Sequence, residues 1–150
     1  MKTKTPQKIV EIKLEQKLNR DTILPIITMC KDDIEDACQD SFDAYWSKRQ
    51  KRLKPSSYEK ELEESWQATY MWFEDKDGNI IAGFDMHSNY DINEIISSLR
   101  RKEVFTDDWG NNAISDLEFE ALDIHYISIY YSPDMTCFSA EEVYKIHLTK

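Results

Sequence analysis

The sequence predicts an α+β domain: a mainly antiparallel sheet of about four strands, including a central hairpin, with helices packed on one face. Three observations point there. Period-two and helical hydrophobic patterns follow one another in the order β, long α, short α, β-hairpin, α, β, short α. The middle of the chain holds two strand-like runs joined by an Asp-Gly turn signal. A β-branched and aromatic run, Asp123 to Tyr131, reads as a further strand.

In chain order, residues 1–7 read as a flexible tail and residues 8–150 as a single domain, the size expected of 150 residues. Ile9, Val10, Ile12 and Leu14 interleave with Glu11, Lys13 and Glu15, which predicts a half-buried strand. Asp21 or Thr22 can cap the long helix, with Pro25 in its first turn, where a missing N–H costs little. Ile27, Cys30, Ile34, Ala37 or Cys38, Ser41 and Tyr45 mark one face of that helix, which runs to about Leu53. Ser57 with nearby acids starts a short helix. Ala68 to Phe73 and Asn79 to Met86 form the hairpin, joined by Glu74-Asp75-Lys76-Asp77-Gly78. Asp91-Ile92-Asn93-Glu94 opens another helix as a capping box. Thr106 to Ser115 is a polar loop, and Ser139-Ala140-Glu141-Glu142 caps a last short helix.

Composition excludes several function classes. The chain has only three glycines, Gly78, Gly83 and Gly110, and they form no cluster. A phosphate-cradling loop needs clustered glycines at a strand–helix junction, so the P-loop and Rossmann readings fall. The segment YMWFEDKDGNIIAGF resembles the central strands of acetyltransferases. That family also needs a Gly-rich pyrophosphate loop opening a later helix, and no segment supplies one. No apolar h-region follows the basic N-terminal residues and no long apolar run occurs, so a cytoplasmic location away from membranes is expected. Cys30, Cys38 and Cys137 are read as free thiols in a reducing compartment.

The formal charge is −10, and it is segregated. Residues 1–20 are basic. Asp32, Asp36, Asp40 and Asp43 then fall on one face of the long helix, at a spacing where like charges mildly repel. A basic knot follows, Lys48, Arg49, Lys51, Arg52 and Lys54, which complements the negative end of a helix dipole. From Glu103 to Glu142 there is no Lys or Arg. Within that stretch Asp107, Asp108, Trp109, Glu118 and Glu120 combine carboxylates with an aromatic anchor. Such a surface repels nucleic acid directly and steers a basic protein toward it.

The leading expectation is therefore a non-enzymatic acidic protein, without a cofactor. It neutralises a basic partner, a nuclease or nucleic-acid-binding protein, in the manner of an immunity protein or a phage-type inhibitor that mimics nucleic acid. Asp107, Asp108, Trp109, Glu118, Glu120, Asp32, Asp36, Asp40 and Asp43 carry the binding. A rival reading is a small metal-dependent enzyme. Asp85-Met86-His87 and Asp123-Ile124-His125 each place a carboxylate and an imidazole on one side of a strand. If their strands were neighbours, Asp85, His87, Asp123 and His125 would converge. Cys137 with His125 or His147 is a weaker nucleophile–base pair. Asp75 to Gly78 lacks the flanking ligands of a calcium loop, since Phe73 and Phe84 stand where ligands are needed. A third reading is a homodimer formed through the strand Asp123 to Tyr131.

Overall fold

The computed structural model describes residues 8–50, 67–84, 89–108, 110–133 and 140–150. Its elements are β1 (Lys8–Lys13), α1 (Arg20–Gln50), β2 (Ala68–Glu74), β3 (Ile80–Phe84), α2 (Ile92–Arg100), β4 (Phe105–Thr106), β5 (Ala113–Ile114), α3 (Asp116–Glu120), β6 (Tyr126–Ser132) and β7 (Glu141–Thr149). The α+β class holds. The sheet, however, has seven strands among the described residues, in the order β1-β7-β6-β2-β3-β4-β5. All pairings are antiparallel except β1 with β7.

The undercount has two causes. β4 and β5 are two residues each, too short to show a period. The segment expected to open a last helix at Ser139 is instead β7 from Glu141 onward. Tyr144, Ile146 and Leu148 are buried while Glu141 is exposed and Val143, Lys145 and His147 are half-buried, which is period two rather than helical. Ser139 and Cys137 lie outside the described residues, as does the short helix expected near Ser57.

The hairpin forms where the turn signal lies. Asp75 N–H donates to the Asn79 carbonyl at 2.9 Å, and Gly78 takes a positive φ of 84°. The Asp75 carboxylate accepts the N–H groups of Asp77 and Asn79 at 2.9 and 3.0 Å. Those backbone bonds hold its pKa below the ordinary carboxylate range. The loop thus uses its own acid as a turn former.

The cap of α1 lies two residues before Asp21 and three before Thr22, the two candidates the sequence favours. Asn19 caps it, accepting Thr22 N–H at 3.0 Å, while Asn19 N–H donates to Thr22 Oγ1 at 2.8 Å. Pro25 is therefore beyond the first turn and removes one bond to the Asp21 carbonyl. Asp91 caps α2 as the pattern requires, its Oδ1 accepting Glu94 N–H at 2.9 Å.

The core lies on one face of the sheet. Met71, Phe73, Ile127, Ile129, Tyr144, Ile146 and Leu148 project to it and meet Ile23, Ile27, Cys30 and Ile34 of α1. Ile92, Ile95, Ile96 and Leu99 of α2 join them, each such buried side chain contributing roughly 1.5–3 kcal/mol. Phe119 of α3 stacks on Phe105 with centroids 3.8 Å apart. Side chains of all three described helices thus join one core cluster. Arg20 pins the start of α1 to the β4–β5 end of the sheet. It donates to Asp116 at 2.9 and 3.3 Å and to the Glu103 carbonyl at 2.6 Å, with its guanidinium 4.6 Å from the Phe105 ring centroid.

Candidate functional site

The apolar face of α1 decides where its acids go. With Ile23, Ile27, Cys30 and Ile34 turned to the core, Asp32, Asp36, Asp40 and Asp43 fall within about 80° of arc on the opposite side. All four are exposed. Lys31 pairs instead with Glu35 at 3.5 Å, and no ion pair among the described residues neutralises Asp32, Asp36 or Asp40. Asp43 accepts Gln39 Nε2 at 3.0 Å. The stripe also carries Met29, an apolar side chain 69% exposed.

The second set of acids is more committed to local structure. Asp107 accepts Asn111 N–H at 3.1 Å and Asn112 Nδ2 at 2.8 Å, which closes the β4–β5 connection. Glu118 completes a capping box with Ser115 at the start of α3. Asp108 is exposed and Glu120 half-buried. Trp109, the expected anchor of this surface, lies outside the described residues. Asp116 is bound to Arg20, the first residue of α1. Asp32 and Asp43 lie about 18 and 35 Å further along that helix, at about 1.5 Å per residue. The structure therefore separates the two acidic groups rather than merging them.

Of the Asp-x-His pairs, Asp123 and His125 do meet, at 3.2 Å between Oδ1 and Nε2. Asp85 and His87 lie outside the described residues. β3 and β6 are not neighbours, because β2 stands between them. Both run antiparallel to β2, so the end of β3 and the start of β6 are at opposite ends of the sheet. No cluster of three or more His, Cys, Asp or Glu among the described residues has the geometry to hold a metal ion. β6 has both edges paired, with β2 and β7, so only its face is available to a second chain.

The face of the sheet away from the helices holds a cluster that sequence reading missed. Register aligns Glu74, Tyr126, His147 and Glu11 in one row across four strands, and Trp72, Ser128, Lys145 and Ile9 in the next. Glu74 is buried and accepts Ser128 Oγ at 2.7 Å. Lys145 Nζ sits 2.9 Å from Glu74 and 3.2 Å from Glu142, and 5.0 Å from the Tyr126 ring centroid. Tyr126 stacks on His147 at 4.8 Å. The missed signal was alternation in Val143 to Leu148, which a strand assignment would have turned into a Lys facing Glu74.

This cluster is built for charge satisfaction. Burial alone would lower the Lys145 pKa, but Glu74 and Glu142 outweigh it and raise it, so the amine stays an ammonium and is no nucleophile at neutral pH. Tyr130 is raised by burial and by Glu142 and Glu74, and stays a phenol. On the other side of the sheet, burial pushes the Cys38 thiol up to about 12, far from thiolate chemistry. No family model, no curated protein and no solved structure matches this chain. No described helix is long and apolar enough to cross a membrane.

Proposed function

We propose that this chain is a non-enzymatic acidic binding protein that neutralises a basic protein partner, a nuclease or a nucleic-acid-binding protein. The observation that carries the reading is the α1 stripe. Four carboxylates, Asp32, Asp36, Asp40 and Asp43, stand exposed along one side of a 31-residue helix, and Asp32, Asp36 and Asp40 form no ion pair among the described residues. Like charges at this spacing work against the helix, so the stripe has a cost that folding does not recover. A cationic surface would recover it, and the field would speed association. The expected mode of action is occlusion: the stripe occupies the cationic groove that the partner uses for phosphate. Glu118, Glu120, Asp107 and Asp108 extend the negative field near the other end of α1.

The test is affinity capture on immobilised protein from cognate lysate, with partners identified and their charge determined. A basic protein retained at about 0.05 M salt and released by about 0.5 M salt is the expected result, because the screening length falls steeply over that range. A variant with all four stripe residues changed to Asn should lose it. Recovery of the same partners by that variant, or of acidic and neutral partners alone, would sink the reading.

A further inference from the structure

The sheet has one long free edge among the described residues, and it is β1. β1 is six residues, KIVEIK, while the opposite edge, β5, is two. An unblocked edge strand offers a row of unpaired N–H and C=O groups to another strand. β1 has no proline and no bulge to blunt it.

Which groups face outward follows from its partner. Leu14 N–H donates to the Thr149 carbonyl of β7 at 2.7 Å. Backbone polarity alternates along a strand, so Val10 and Ile12 also turn toward β7, and Ile9, Glu11 and Lys13 present N–H and C=O to the outside. Side chains alternate too. Val10, Ile12 and Leu14 pack against the core face. Ile9, Glu11 and Lys13 lie on the other face, in register with Lys145, His147 and Thr149.

The geometry points to a second copy of this chain as the occupant of that edge, paired antiparallel through β1 with Ile12 opposite Ile12. Two-fold registers centred on a residue of β1 keep the sheet faces aligned, and the three centred nearest the middle of the run from Lys8 to Leu14 pair the most residues. Centring on Glu11 sets two carboxylates against each other. Centring on Val10 sets the Glu11 carboxylate against the apolar Ile9 twice. Centring on Ile12 sets Glu11 opposite Lys13 twice, Val10 opposite Leu14 twice, and isoleucine on isoleucine. Only this last register matches charge with opposite charge and apolar with apolar. Glu11 and Lys13 are also outward-facing residues, so each of their two pairings exchanges both backbone bonds. Glu11 is free to turn to its new partner, since its side chain is 74% exposed and only 3.7 Å contact with His147 holds it.

Sedimentation equilibrium of the purified chain tests this without reference to any other protein. The expected result is a concentration-dependent dimer. Glu11→Lys and Lys13→Glu each create two like-charge pairs and should weaken the dimer by about tenfold or more. The double variant Glu11→Lys/Lys13→Glu restores both pairs and should dimerise like the original. Far-UV circular dichroism spectra of the single variants matching the original confirm that the fold is intact, since Tm itself falls when a dimer is lost. A chain that stays monomeric at high concentration overturns the inference. So do single variants that still dimerise fully, or a double variant that stays monomeric, since the interface then lies elsewhere.

Discussion

Lys145 reaches across β6 to place its ammonium 2.9 Å from Glu74, two strands away. The strand between contributes the rest of the setting. Ser128 donates to the other Glu74 oxygen at 2.7 Å, and the Tyr126 ring lies beneath the lysine. Three strands are thereby tied on the face that carries no described helix. Removing one member of such a pair leaves the other uncompensated, which for a buried pair costs about 3–5 kcal/mol. Lys145 keeps 17% of its side chain exposed, so Lys145→Met should cost somewhat less, roughly 2–3 kcal/mol. For a domain of this size that lowers Tm by about 5–10 °C. Glu74→Met/Lys145→Met should recover most of the loss. Urea unfolding of the four proteins checks it, and equal stability of the single and double variants would refute the pairing.

The same pair fixes a pH dependence. The Lys145 pKa is raised in the folded chain above the ordinary value of 10.5. A raised cationic pKa contributes stability that is fully present below the unfolded value and is lost as pH rises through the folded one. The Tm difference between the original chain and Lys145→Met should therefore be constant from about pH 7 to about pH 9 and shrink above about 10.5. A difference that grows in alkali contradicts the sign.

Gly83 makes a packing prediction on the same face. A Cβ there would lie 2.5 Å from Trp72 Cζ3 and 2.7 Å from Thr106 Oγ1. The indole lies directly over the glycine, and Gly83 pairs with both Trp72 and Thr106 across the sheet. Gly83→Ala should destabilise by about 1–3 kcal/mol through overpacking. Adding Trp72→Leu, which frees the space, should return part of that. If the double variant is simply the sum of two losses, the contact is not the cause.

The legible parts of the fold are those where one local rule decides. The Asp-Gly hairpin, the Asp91 cap and the apolar face of α1 each follow from residues within a few positions of one another. β7 was misread because Ser139-Ala140-Glu141-Glu142 satisfies a helix-cap pattern locally. The alternation after Val143 wins because β6 and β1 flank it on both sides and bury every second residue. β4 and β5 exist through pairing with β3 and each other, information that no two-residue segment contains. For the candidate site, the α1 stripe was readable because helical period alone places it. The Glu74–Ser128–Lys145 cluster was not, since its members meet only through strand order. Nor did spacing reveal that Asp107 and Glu118 are used as a turn former and a cap.

The stripe itself yields the prediction that joins stability to function. Asp32 with Asp36, Asp36 with Asp40, and Asp40 with Asp43 are like-charge pairs one turn apart, each costing about 0.2–0.5 kcal/mol on an exposed helix. Changing all four to Asn should therefore stabilise the fold by roughly 0.5–1.5 kcal/mol, most clearly at low salt. The gain should fade as salt rises, because screening already relieves the repulsion in the original chain. The same variant should lose the basic partner. A stabilised protein that no longer binds is the pattern of charges kept for recognition at the expense of the fold. Denaturant titrations at about 0.02 M and about 0.5 M salt measure the first half, and capture of the partner measures the second. If the Asn variant is less stable at low salt, the carboxylates are engaged in the fold itself. The stripe would then be structural rather than a binding surface.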